Sequence, residues 1–188
     1  MSLLDRLFAK SRRRRSIEAL YGSIVAQARY PWFYAEAGVP DTVEGRFELI
    51  ALHAWLVMRR LKDTSPAAND FNQALFDHMF ADMDYALREL GAGDLGVGDK
   101  VKELARHFYG RVAAYEGALL PDADPGELER ALDRNLFGST LPDAARIAAV
   151  AAYVRAEAMA MRHQSEESLM AGQVVFGPPS AVPVTGAA

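Results

Sequence analysis

Two helical pairs have the spacing to hold a proton or a metal between a ring and a carboxylate: His78 with Asp82, and Glu103 with His107, each four residues apart. A metal site needs further converging ligands, and neither pair has a carboxylate three residues from its histidine, as the Glu-x-x-His of di-iron bundles requires. Around His78 the carboxylates of Asp77, Asp82, Asp84 and Glu89 gather on one stretch. Such a group either shifts a carboxyl pKa or attracts a cationic partner. Gly91 to Gly96 spells G-x-G-x-x-G. The dinucleotide fingerprint, however, needs a strand before the glycines, and the pattern here is helical. No G-x-S-x-G elbow and no Asp-Asp-x-x-Asp motif occurs. The absence of cysteine excludes thiolate metal sites, cysteine nucleophiles and disulfides.

The elements that must position these residues read as helices throughout, with no sustained strand alternation. The expected fold class is all-α: one compact multi-helix domain of residues 16–170, preceded by a basic amphipathic head at 1–15 and followed by a flexible tail at 171–188. Leu3, Leu4, Leu7 and Phe8 form a short apolar face before Arg12, Arg13, Arg14 and Arg15, and a second helix is expected from Ser16 to about Tyr30. Trp32, Phe33 and Tyr34 cluster beside Pro31. A central helix capped by Asp41 or Thr42 is expected to run to Lys62, and another from Asp70 to Leu90. Folding the chain between them would set Arg60, His53 and Arg46 opposite Asp70, Asp77 and Asp84 in an interhelical ladder. Gly91 to Gly98 should form a glycine-shaped connection, with Asp99 capping the next helix. Further helices are expected from Asp124-Pro125 to Phe137, with Gly138 as the stop, and from Thr140–Pro142 to at least His163. Beyond Met170 the chain carries no charge and is rich in Gly and Pro, a composition that favours a loose tail.

Charge is distributed unevenly. Residues 1–15 hold six Lys/Arg against Asp5 alone, a net of +5, which leaves −9 for the rest of a chain whose net charge is −4. An acidic body argues against a specific nucleic-acid footprint. The basic head suits an anionic membrane surface, with Leu4 and Phe8 entering the interface and Arg12 to Arg15 meeting head groups. The order of apolar and basic residues is not that of a secretory signal, so an intracellular protein is expected, with membrane contact only at the surface.

One run has a family character. Phe33-Tyr34 through Gly38-Val39-Pro40-Asp41-Thr42, Gly45-Arg46-Phe47-Glu48, Leu75 to Asp84, Leu87-Arg88-Glu89-Leu90-Gly91, Gly93 to Gly98 and His107-Phe108-Tyr109-Gly110-Arg111-Val112 resembles the ubiquinol-cytochrome c chaperone family over roughly residues 20–165. The resemblance implies a bacterial member acting at the cytoplasmic face of the inner membrane. It would be an assembly chaperone for ubiquinol-cytochrome c reductase that holds newly made cytochrome b. It implies no catalysis and no cofactor, and in mitochondrial relatives a small assembly partner and the ribosome assist. On this reading Asp77, Asp82, Asp84 and Glu89, with Trp32, Phe33 and Tyr34, are the expected client-binding residues. An acidic helical surface would complement the basic cytoplasmic loops of a membrane client. A helical haem- or quinone-handling protein, and a small-molecule enzyme using His78 and Asp82, stay open beside it. A closed cavity lined by reactive groups would favour these, and an open apolar groove with an acidic rim would favour the chaperone.

Overall fold

The computed structural model describes residues 3–89, 94–138 and 140–181. Among them the regular elements are all helical, as expected: α1 (Leu3–Ala28), α2 (Pro31–Ala35), α3 (Val43–Leu61), α4 (Pro66–Glu89), α5 (Asp94–Ala118), α6 (Glu127–Leu132), α7 (Ala144–Met161) and α8 (Glu166–Met170). α6 widens into a π-turn over Asp133–Phe137 and stops at Gly138, where φ is +59°.

α3 is the axle of the fold. Phe47, Leu49, Ile50, Leu52, Ala54, Trp55, Leu56 and Val57 are all buried, because α1, α4, α7 and α8 pack around them. Its start is fixed by Thr42, whose hydroxyl accepts the Gly45 amide at 3.1 Å. Gly45 itself is required by packing: a Cβ there would lie 2.0 Å from the Pro40 carbonyl oxygen.

Several expectations are corrected. The break between the basic head and a second helix does not form, and α1 runs unbroken from Leu3 to Ala28. Arginine is a good helix former, and no Gly or Pro interrupts the run until Gly22. α4 starts four residues earlier than expected, at Pro66, with Ser65 accepting the Ala68 amide at 3.1 Å as its cap. α5 starts at Asp94 and takes Gly96 and Gly98 into helix; glycine costs a helix only about 1 kcal/mol relative to alanine. The rest of the expected connection, with Gly91 and Gly93, lies outside the described residues.

The interhelical ladder is absent among the described residues, although the chain does fold back at the expected point. The Asn72 side chain donates to the Met58 carbonyl at 2.9 Å, which sets α3 against α4 about residue 65. The polar stripes nevertheless face elsewhere. Arg46 pairs with Asp41 at 2.7 Å, Asp77 accepts from Gln73 at 2.8 Å, Asp84 pairs with Arg88 at 2.7 Å, and His53 is fully buried. With helices on several sides of α3, the middle of the stripe that periodicity assigns to water, at His53, is core, while Arg46 stays exposed and Arg60 half-buried.

The expected flexible tail divides. Residues 171–181 lie along the body, and 182–188 are outside the described residues. Gln164 holds both backbone groups of Val175, at 2.7 and 2.9 Å, and Phe176 sets its ring edge-on to His53 at 5.3 Å. Lack of charge suggested looseness, but Val174 and Phe176 supply apolar anchors that composition alone does not weigh.

Candidate functional site

The acidic stretch of α4 lies beside α1, and the two helices run parallel: Arg13 donates to the Asp70 carbonyl, and eight residues later Tyr21 donates its hydroxyl to Asp82 at 2.9 Å. Tyr21 also meets His78 edge-on, with ring centroids 5.1 Å apart. Burial and the Asp82 carboxylate push the Tyr21 phenol upward, so it remains a donor. Asp77, Asp82 and Glu89 are exposed and Asp84 is half-buried. Arg88 holds the Asp84 carboxyl below its ordinary range by hydrogen bonding. Sequence separated a basic head from an acidic body, yet Lys10, Arg13 and Arg14 line one open cavity with Asp70, Asp77 and His78.

The aromatic part of the expected client site is placed differently. Trp32 and Phe33 are buried, at 2% and 0% exposure, and Tyr34 is half-buried with its hydroxyl on the Ala28 carbonyl at 2.9 Å. Phe33 packs edge-on against His53 at 5.4 Å and Tyr153 at 5.3 Å. Trp32 and Phe33 of this proline-led turn are a core plug, with Phe33 set between α3 and α7. Of the expected membrane-facing residues, Phe8 is 67% exposed and Arg12, Arg13, Arg14 and Arg15 are exposed; the Leu4 side chain is outside the described set.

Neither histidine pair builds a reactive centre. His107 and Glu103 meet at 3.9 Å on the surface, and Asp82 is already engaged by Tyr21. Among the described residues no group of three His, Asp or Glu side chains converges as a metal site would. The buried histidine, His53, was not singled out for chemistry. Its Nδ1 sits 2.7 Å from the Leu49 carbonyl and therefore carries the proton; Nε2 accepts from the Tyr153 hydroxyl at 2.8 Å. Burial pulls its pKa down to about 4. Gln27 completes the chain, donating to Tyr153 at 3.0 Å and to the Gly177 carbonyl at 2.9 Å.

Sequence reasoning also missed a groove between α4 and α5. Met58, Phe76, Phe108, Tyr109 and Val112 line it over about 240 Å³, with Phe76 stacked near Phe80 at 4.5 Å and Tyr109 at 5.4 Å. Its rim carries Arg59, Lys62 and Glu116, so the apolar groove is open but its edge holds one cation in excess and is not acidic. The i,i+4 pair Phe76 and Phe80, and the adjacent Phe108 and Tyr109, were the available signals.

Residues 35–176 match the family model described as ubiquinol-cytochrome C chaperone. The chain belongs to that family. The matched region begins in α2 and ends on Phe176, so it includes the segment pinned over His53. A crystal structure of the Cbp3 homolog from Brucella abortus superposes with a TM-score of 0.84 at 39% identity, covering 97% of this chain and 100% of that one. The ubiquinol-cytochrome-c reductase complex assembly factor 1 of Xenopus laevis is 23% identical over 160 residues, 85% of this chain and 79% of that protein. Its human counterpart is 24% identical over 85% of this chain, and yeast mitochondrial protein CBP3 is 25% identical over 79%. The chain spans about half the length of these last two, 53% and 45%. Among the described residues no helix of this family member is long and apolar enough to cross a membrane.

Proposed function

We propose that this protein is an assembly chaperone for ubiquinol-cytochrome c reductase, of bacterial type, which receives newly made cytochrome b at the cytoplasmic face of the inner membrane and performs no chemistry on it. The observation that carries the reading is the family match over residues 35–176 together with the near-complete superposition on a bacterial Cbp3 homolog. The side-chain arrangement is consistent with holding rather than reacting. The buried polar residues Glu48, His53 and Glu157 each make a structural hydrogen bond, and the reachable features are surfaces. Exposed Asp77, Asp82 and Glu89, with Asp84 and the 64%-exposed ring of Tyr85 between them, give α4 a face suited to a basic, partly apolar segment. Trp32 and Phe33 are buried against other helices and take no part in that face. The exposed Phe8 and arginines of α1 offer a reversible hold on anionic lipid. A small assembly partner or the ribosome would find its place on the remaining surface.

Deletion of the gene is expected to lower assembled reductase and mature cytochrome b in membranes, and normal levels of both would reject the assignment. Affinity capture should recover cytochrome b before the other subunits join it. Asp77→Lys with Glu89→Lys should weaken that capture while leaving the helical content intact; undiminished capture would remove the α4 face from the interface.

A further inference from the structure

The apolar groove between α4 and α5 does not end at its own rim. A second open cavity of about 480 Å³ lies against it, lined by Arg59, Arg60, Lys62, Asp63, Glu116 and Arg162, and the two share Arg59, Lys62 and Glu116. The shared wall is built firmly. Glu116 accepts from the Trp55 indole and from Arg59, both at 3.0 Å, so one carboxylate is neutralised where apolar and cationic spaces meet.

Beyond that wall the charges are unbalanced: four cations face two carboxylates, one of them already committed to Arg59. Among the described residues Arg60, Lys62 and Arg162 form no close ion pair, although the Glu166 carboxyl on α8, held down by hydrogen bonds from Ser65 and Thr64, is near enough to Arg60 to be lowered by it as well. The Arg60 Nε is buried without a hydrogen-bond partner. α3 and α7 both finish here, at Leu61 and Met161. Their carbonyl ends favour positive charge nearby, which gathers the cations here, and an anion binds only because those cations outweigh the same carbonyl ends. On a chain with a net charge of −4 this local excess is a recognition feature rather than a reflection of composition.

We propose that the joined groove binds an anionic membrane lipid, its acyl chain along Met58, Phe76, Phe108 and Tyr109 and its phosphate at Arg60, Lys62 and Arg162. Charge selects the occupant. Cytoplasmic loops of membrane proteins carry an excess of Lys and Arg, and the local excess of cations repels them, whereas a tail joined to one compact anionic head matches an apolar trough that opens into a cationic pocket. Guanidinium groups suit the head because they donate in pairs to phosphate oxygens. The inference does not rest on the assembly role, and its failure would leave that role untouched.

The test is calorimetric titration of the full chain with dodecyl phosphate below its micelle-forming concentration. Saturable binding is expected, weakening as salt is raised and about tenfold or more tighter than for dodecyl maltoside or inorganic phosphate, each of which satisfies only half of the site. Lys62→Glu with Arg162→Glu should lose about tenfold by removing the head contacts. Val112→Trp should lose binding by filling the groove with every charge in place. Circular dichroism confirms that each variant is folded, and if one is not, the salt dependence and the two half-ligands still decide. Arg12→Ala with Arg14→Ala should leave binding of the monomeric probe unchanged while lowering attachment to phosphatidylglycerol vesicles, which separates lipid in the groove from lipid under the head. Absence of saturable binding, equal affinity for dodecyl maltoside, or indifference of both folded groove variants would overturn the proposal. So would a concentration-dependent dimer that blocks the groove, since a second copy would then be its occupant.

Discussion

Tyr153 donates its hydroxyl to His53 Nε2 across 2.8 Å, linking α7 to α3 in a region closed to water. The same hydroxyl accepts from Gln27 on α1 at 3.0 Å, so one oxygen joins three helices.

Tyr153→Phe keeps the ring and removes that oxygen. It leaves a buried imidazole nitrogen without a donor and a Gln27 N–H without an acceptor. The buried imidazole nitrogen alone costs about 1–3 kcal/mol, the half-buried Gln27, which keeps its bond to Gly177, adds less, and urea denaturation should report a loss of at least about 1–3 kcal/mol. A variant as stable as the parent would mean that the network contributes nothing net.

Protonation of His53 should also couple stability to pH. Its folded pKa lies near 4, against about 6.5 in the unfolded chain. Between those values the unfolded state binds more protons, so stability is fully present above about pH 6.5 and falls as pH drops toward 4. The limiting loss is on the order of 3 kcal/mol. Glu48 and Glu157 act in the opposite sense, because burial pushes both carboxyls up. The comparison is therefore between parent and His53→Gln: the parent should lose more stability from pH 7 to pH 5, and parallel curves would rule His53 out as the cause.

Gly45 and Gly117 sit in helices but should respond oppositely to alanine. At Gly45 the new methyl meets the Pro40 carbonyl oxygen at 2.0 Å, whereas at Gly117 nothing lies within 4 Å. Gly117→Ala is expected to raise stability by about 0.5–1 kcal/mol. Gly45→Ala should lower it by roughly 1–3 kcal/mol or more as the α2–α3 turn shifts. Thermal melts of the two variants side by side provide the check.

Arg111 clasps the buried carboxylate of Glu48 with two nitrogens. Arg111→Met would strand that charge, at a cost of about 3–5 kcal/mol, and the deficit should shrink at low pH where Glu48 is protonated. Adding Glu48→Gln should recover most of the loss at neutral pH. A double variant no better than the single would show that shape, not charge, governs the site.

The register of α3 against α4 could be read from the chain because a short turn leaves few choices about where two helices fold back. Which side of α3 faced outward could not. Its Arg46, His53 and Arg60 keep a seven-residue spacing that looks like one wet stripe, but α7 arrives from a hundred residues away to cover His53 with Tyr153. The same distance hid the role of Phe176, which looks like an isolated aromatic among glycines and prolines until His53 is seen beneath it. The carboxylates of α4 were legible as a surface feature because charge seeks water whatever the fold. Trp32 and Phe33 were not, since a large ring reads alike in sequence whether it is a plug or a handle. The cationic cavity joins Arg162 to Arg60 across α7 and α3, and no local pattern announces it.

α1 carries the arginines near one end and Gln27 near the other on a single rod without a kink residue between Leu3 and Ser16. At 1.5 Å per residue it is about 39 Å long. Whatever grips its first turns consequently dictates the tilt of the entire molecule, because the rod is bolted into the core from Ile17 onward and no glycine or proline lies before that point to absorb a rotation.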